Sequence, residues 1–426
     1  MNVRHILHKS LLLMAAASSL VACDMMKEEL DDCPTGLYVN FVYDYNIQRA
    51  DMFKDHVGSV TLYVYDESDR LVASKTMGKG QLSRYGSYIH FSEQELAPDH
   101  SYRLMAVAFQ NEMLSANGAK YRLTGNGIGD QWKQFFITLD HQPAATRSYA
   151  AVSPQHPATR SAFYVSAVAP LDTLWHTLTT ITTPASVHPM QLLPAMLTPA
   201  QTTYSWQRDG SVTTNGQETV TMVKGEPTYA TVSLIRDTKH LNVTLRAIND
   251  DPADNQVTDE DYTVEIIDNN SQLDCQNNLT NAVDTLIYTP YRQWTTTFVG
   301  NGQVVSEQAA HYDLMFNRLV YKNASVTDDQ YAILNEADIE KARNAVLLIR
   351  KQTTGEIIFG INLPYILSSG RTYQERYYHY QEYLDREYDY RLQFILKGGR
   401  VEDIQLFIGT EIHIIPWAIR TQYEEL

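Results

Sequence analysis

Cysteine is nearly missing from this chain: three occur in 426 residues, at positions 23, 33 and 275, with no CxxC spacing. That excludes a thiolate-built zinc site, which needs closely spaced pairs, and a disulfide-dense scaffold. The thirteen histidines fall without HExxH or a comparable metal spacing, so no metal is expected. No GxSxG turn, Walker loop or GxGxxG turn is present, and no cofactor is expected. The stretch Asn126-Gly127-Ile128-Gly129-Asp130 has the glycines of a phosphate loop without its lysine or an adjoining helix, and it reads as a turn. Basic charge is also short. Fifty acidic residues stand against 34 basic ones, a net charge of -16, and the basic groupings are no larger than pairs such as Arg350-Lys351. A phosphate backbone would be repelled, so nucleic acid is excluded as a partner. Long hydrophobic runs are missing too: Leu11 to Leu20, broken by Ser18 and Ser19, falls well short of the roughly 20 residues that span a bilayer.

That short run has a different meaning in its setting. Arg4 and Lys9 make a positive start, the apolar run follows, and the segment ends in Leu20-Val21-Ala22-Cys23. This is the layout of a signal peptide over residues 1–22, and its last four residues resemble the lipobox of bacterial lipoproteins, in which the cysteine takes a diacylglycerol. Each buried methylene of an anchor contributes about 0.8 kcal/mol, so several chains on Cys23 would hold the protein lastingly. Removing residues 1–22 takes away two basic residues and no acidic one, moving the net charge from -16 to -18. Residues 23–34 then read as a lipidated tether, charged and poor in structure. Within it, Lys27-Glu28-Glu29 resembles the export signals that send some lipoproteins to the cell surface. If Cys23 is lipidated, Cys33 and Cys275 remain as a candidate disulfide in an oxidising compartment.

The rest of the chain is rich in tyrosine, 28 in all, and in period-two alternation. Leu37, Val39, Phe41, Tyr43 and Tyr45 predict one half-buried strand; Val60, Leu62 and Val64 predict the next, with a short helix around Ala50, Phe53 and Val57 between them. Further strands are expected at Tyr102–Phe109, Gln134–Leu139 and Tyr229–Ile235. The clearest alternation is Leu241, Val243 and Leu245, then Tyr388 to Leu396, then Ile404 to Ile408 with Ile412 and Ile414 closing a hairpin through Gly409-Thr410. His413, between those isoleucines, reads as an outward position. Asn335 to Lys351 fits a helix by Ile339, Ala342, Val346 and Ile349, yet Val346 to Ile349 also fits a strand. Two stretches, Gln142–Pro170 and Pro184–Thr203, are rich in Pro, Ala, Thr and Ser and read as long surface loops. The chain is therefore expected to be all-β with few short helices, in two domains: 35–225 with the long loops, and 226–426. The division falls at the turn Lys224-Gly225-Glu226-Pro227, with Ile235–His240 as the next choice. Acidic pairs such as Asp385 with Glu387, or Glu382 with Asp385, have glycosidase-like composition, but such pairs are common in a chain this acidic. The chain is not expected to be an enzyme.

Several blocks together carry a resemblance. Asp32-Cys33-Pro34-Thr35-Gly36-Leu37, Val39-Asn40-Phe41-Val42-Tyr43-Asp44-Tyr45-Asn46, Ala50-Asp51-Met52-Phe53 and Val60-Thr61-Leu62-Tyr63-Val64-Tyr65-Asp66 resemble the opening of FimB/Mfa-type fimbrial anchor subunits. Leu174-Trp175-His176, Leu234-Ile235-Arg236-Asp237-Thr238 and Gln381-Glu382-Tyr383-Leu384-Asp385-Arg386-Glu387 agree. The resemblance implies two transthyretin-like β-sandwich domains in tandem and a place at the base of a fimbrium. Fimbrial stalk subunits would be the partners, joined by strand insertion, and the outer membrane would be reached through the lipid on Cys23. Other functions compatible with the same sequence are a surface glycan-binding lipoprotein and a tip adhesin of the same family.

Overall fold

The computed structural model describes residues 35–82, 88–111, 121–150, 159–165, 170–183, 204–206, 212–214, 216–280, 284–299, 306–321, 335–374, 378–408 and 411–414. It is mostly strand, in tandem β-sandwich units with few short helices. The first sheet runs in the order Leu71–Gly78, Ser59–Tyr65, Ser101–Phe109, Leu174–Thr183, Pro227–Arg236, Gly36–Val42 and Ile89–Phe91, with Val220–Thr221 added beside Ser101–Phe109. Leu37, Val39 and Phe91 from one end of this order share a hydrophobic cluster with Val60, Leu62 and Met77 from the other. The sheet must therefore curl over its own core. The helix Phe53–His56 helps to close that core with Phe53.

Alternation disappears where this sheet is covered twice. All of Ser59–Tyr65 is buried. Val60, Leu62 and Val64 face the first core, while Tyr63 and Tyr65 join a second and larger cluster. Ser101–Phe109 divides in the same way, Leu104, Ala106 and Ala108 inward, Met105, Val107 and Phe109 outward. The outward set packs on a three-stranded sheet, Gln272–Asp274, Phe136–Leu139 and Tyr121–Thr124, through Phe135, Ile137 and Leu139.

Two six-stranded sheets make the second sandwich. One is ordered Arg292–Val299, Ser306–Phe316, Lys239–Ala247, Asp389–Lys397, Arg400–Ile408 and Glu411–Ile414; the other is Ile357–Asn362, Val346–Lys351, Tyr262–Asp268, Thr285–Tyr288, Thr159–Val165 and Gln142–Ala150. Leu241, Val243, Leu245 and Tyr312 from the first meet Val264, Ile266, Leu286 and Leu347 from the second in the same cluster that reaches Tyr63 and Phe109. One apolar core thus runs from the second sandwich into the back of the first sheet, which joins the two units by a hydrophobic interface rather than a free linker.

Two expectations change and an open one is resolved. Gln142–Ala150 and Thr159–Val165 are strands, not loops, and they belong to the second sandwich, where Thr159–Val165 pairs in parallel with Thr285–Tyr288. A Pro/Ala/Thr composition is no bar to an edge hairpin, since proline is tolerated where the outer N–H has no partner. The sheets do not divide at residue 225 either: Pro227–Arg236 lies inside the first sheet, between Leu174–Thr183 and Gly36–Val42. After visiting the second sandwich with Gln142–Ala150 and Thr159–Val165, the chain passes to it finally at Asp237-Thr238, within the next choice Ile235–His240, and Gly225 is a turn with φ +76°. Asn335–Lys351 holds both of its alternatives, a helix Glu336–Lys341 capped by the Asn335 side chain on the Asp338 N–H, then the strand Val346–Lys351. The segment 184–203 lies outside the described residues.

His176 offers a direct test of the first unit's packing. It is 1% exposed on the Leu174–Thr183 strand, with Nδ1 at 3.1 Å from the Thr177 carbonyl, and burial pushes its pKa down from 6.5 to about 4. The unfolded chain therefore binds a proton that the folded one refuses between those two values. Stability contributed by the neutral ring is present above pH 6.5 and lost as pH falls toward 4, by roughly 3 kcal/mol at 1.36 kcal/mol per unit. Urea unfolding at pH 7.5 and pH 4 should show a smaller fall for His176→Gln than for the parent. Equal falls in the two proteins would remove His176 as the cause.

Candidate functional site: sheet edges and the interdomain seam

For a protein that assembles with others, an unpaired strand edge is the first place to look, because its backbone N–H and C=O groups are a template for another strand. Among the described residues, the sheet that contains Lys239–Ala247 has two such edges: Arg292–Val299 pairs there only with Ser306–Phe316, and Glu411–Ile414 only with Arg400–Ile408. Arg292–Val299 is the longer. It carries Phe298 at 48% exposure and Trp294 stacked on His311 with ring centroids 5.0 Å apart, while the Arg292 guanidinium lies 4.6 Å over the Trp294 ring. At the other edge Ile408 pairs with Glu411, which confirms the hairpin expected there, and the register sets His413 opposite the buried Leu406 and Ile414 opposite Gln405. Gly36–Val42, by contrast, is interior: it pairs in parallel with Pro227–Arg236 over its whole length, and at Leu37–Val39 also with the short Ile89–Phe91. Burial on both faces accounts for its strongly apolar sequence.

The seam between the units is polar where the chain crosses it. Arg236, Asp237, Thr238 and Lys239 are all buried. Lys239 occupies the same inward phase as Leu241, Val243 and Leu245, and its ammonium donates to the carbonyls of Asp385 (2.8 Å) and Glu387 (2.9 Å). Burial pushes that ammonium's pKa down, and burial pushes the Asp237 carboxyl up. One Asp237 oxygen accepts from the Asn277 amide at 2.8 Å. Above them, Arg318 forks onto both oxygens of Asp385 at 2.9 Å each. Arg386, on the helix Tyr380–Arg386, is held by Glu382 at 2.9 Å and lies 4.0 Å over the ring of Tyr45 in the first unit. Thr238 completes the junction, accepting from the Leu174 N–H and donating to the Asp172 carbonyl.

The acidic residues of this segment are thus committed to structure. Asp385 serves Arg318, Glu382 serves Arg386, and Glu387 accepts from the N–H groups of Tyr388 and Asp389. They form no free acid and base pair. The Asn126–Asp130 turn is as expected, closed by the Asp130 N–H on the Gly127 carbonyl at 2.9 Å. Cys23, Lys27, Glu28, Glu29 and Cys33 lie outside the described residues. Cys275 lies in the large core cluster at 6% exposure, and burial raises its thiol pKa to about 11. Among the described residues no helix is long and apolar enough to cross a membrane. The sequence reading missed Lys239 and Arg318. Lys239 had a signal, a lysine in phase with an apolar alternation; Arg318 had none, since its partner is distant in sequence.

Among the described residues, then, the chain is a tandem β-sandwich with open strand edges and a hydrogen-bonded polar seam between its units. The profile describing fimbrillin-A associated anchor proteins Mfa1 and Mfa2 matches residues 30–192 and 213–423, and the chain belongs to that family. No curated protein matches it. Among solved structures, it is similar to a candidate adhesin of Bacteroides thetaiotaomicron at 18% identity, with a TM-score of 0.60 over 90% of this chain and 99% of the other. A candidate polysaccharide-binding protein of the same organism is 20% identical, with a TM-score of 0.58 over 90% and 99%. The fimbrial anchor protein Mfa2 of Porphyromonas gingivalis is 14% identical, with a TM-score of 0.48 over 90% and 100%. The family is one of fimbrial anchor proteins, associated with the cell-surface fimbrium.

Proposed function

We propose that this protein is a lipid-anchored fimbrial subunit that holds stalk subunits to the outer membrane. The lipid sits on Cys23, the tether of residues 23–34 spaces the body from the membrane, and Lys27, Glu28 and Glu29 address it to the cell surface. The joint to the next subunit is β-augmentation at an open edge of the sheet containing Lys239–Ala247. The observation that supports this reading is the long Arg292–Val299 edge, paired on one side only among the described residues and bearing exposed aromatic surface, in a member of an anchor family.

Anchoring makes its own demand. In cells fed a labelled fatty acid, the parent should carry label and Cys23→Ala should carry none, accumulating as precursor or leaving the membrane fraction. Fimbriae should then be shed into the medium. Label entering Cys23→Ala at the parent level would overturn the lipid site; cell-bound fimbriae with an unacylated subunit would overturn the anchor role.

A further inference from the structure

On the outer face of the same sheet, where it meets the first unit, lies a cleft of about 550 Å³. That is within the roughly 300–1,000 Å³ of small-ligand sites, and clefts between domains are a common place for them. Strand register builds its floor. His240 stands opposite Asp389 on one neighbour, and Asn242 stands between Arg391 on one side and Asp313 on the other. These are the outward positions of the alternation whose inward members are Leu241 and Val243. The first unit supplies a wall through Arg236, Gln110 and Thr173.

The groups are held in place. Asn242 donates to Asp313 at 2.8 Å, and His240 reaches Asp389 at 2.7 Å through Nδ1 and Asp313 at 3.5 Å through Nε2. Arg236 lies 4.0 Å over the Tyr388 ring, which fixes both, and Tyr291 is tied to the floor by its N–H on the Asp313 carbonyl at 2.9 Å. Arg391 stays largely exposed, 3.7 Å from Asp389.

Two guanidinium groups thus face two carboxylates. A ligand of either charge would gain from one pair and be opposed by the other. The hydrogen-bonding groups are side chains on a sheet face, not the repeating backbone row that a strand would need. What fits is a neutral molecule whose groups both donate and accept. We propose that this cleft binds a neutral, hydroxyl-rich ligand, a short oligosaccharide segment. This role is separate from anchoring and does not depend on it.

The test is saturation-transfer NMR on the full chain with maltotriose, mannotriose, xylotriose and chitotriose, set beside a galacturonic acid trisaccharide and a glucosamine oligomer as charged probes. At least one neutral oligosaccharide should receive saturation, and its affinity should fall ten-fold or more in Asn242→Ala and in Arg391→Ala. Arg391 is exposed, so its variant should melt with the parent even if Asn242→Ala does not fold. No transfer to any neutral probe, stronger binding of a charged one, or undiminished binding in folded Arg391→Ala would each overturn the proposal.

Discussion

Arg318→Met should cost the protein about 3–5 kcal/mol, because it leaves the Asp385 carboxylate buried without its cation. Asp385 is 2% exposed, and once the guanidinium is gone its remaining side-chain donor is the Gln381 amide at 3.0 Å. Desolvation of a carboxylate is affordable only when nearby charge and hydrogen bonds offset it. Lys239 lies close, but its ammonium hydrogens go to backbone carbonyls of the same turn. The loss should appear in urea unfolding as a lower midpoint at unchanged slope. It should appear in both units at once, because the apolar core is continuous across the seam. The double variant Arg318→Met with Asp385→Leu separates charge from shape. A buried ion pair replaced by apolar groups is often near neutral, so the double variant should regain much of the loss. If the single variant loses less than about 1 kcal/mol, or the double is no better than the single, the pair does not hold the seam.

The same seam shows what can be read without coordinates. Lys239-His240-Leu241-Asn242-Val243-Thr244-Leu245 alternates cleanly because one face of that strand meets a core and the other meets water. The phase already places Lys239 inside, and a buried lysine requires acceptors, so the seam was legible as a question. Its answer, Asp385 and Glu387, lay nearly 150 residues away. Ser59–Tyr65 was legible as a strand, but its burial on both faces was not, since Val60, Leu62 and Val64 alternate there with Thr61, Tyr63 and Tyr65, residues that are equally at home on a wet face. Composition misled at Gln142–Ala150, where small and β-branched residues made an edge hairpin rather than a loop. Parallel pairings such as Gly36–Val42 with Pro227–Arg236 leave no local trace, since no turn joins the partners, and for that reason the turn at Lys224–Pro227 was preferred to Ile235–His240, where the chain leaves the first sheet. The short helix at Phe53–His56 and the closing hairpin were legible because each rests on local periodicity and turn chemistry, whereas the tandem sandwiches were implied by the family resemblance.

A proline scan of Arg292–Val299 should separate folding from assembly by the period of the strand. In an antiparallel edge strand, N–H groups point alternately toward the neighbour and away from it. Proline removes the N–H at whichever position it takes, and it is tolerated in a sheet only where that N–H faces outward. Thr296 and Thr297 are successive residues here, opposite Ala309 and Gln308 of Ser306–Phe316. One of the two substitutions therefore breaks a ladder bond and should lower the melt. The other leaves the ladder intact but removes an outward donor that an incoming strand would need. That second variant should fold with a melt near the parent's, keep its lipid on Cys23, and lose most cell-bound fimbriae. A Phe298→Lys variant should act in the same direction, since charge on an exposed edge is how sheets discourage pairing. The readouts are the thermal melt, fatty-acid labelling and the ratio of cell-bound to shed fimbriae in each strain. If the well-folded proline variant and Phe298→Lys both retain fimbriae at the parent level, this edge is not the joint. The Glu411–Ile414 edge then takes its place, and the same alternation of effects should be sought at Ile412 and His413, opposite Phe407 and Leu406.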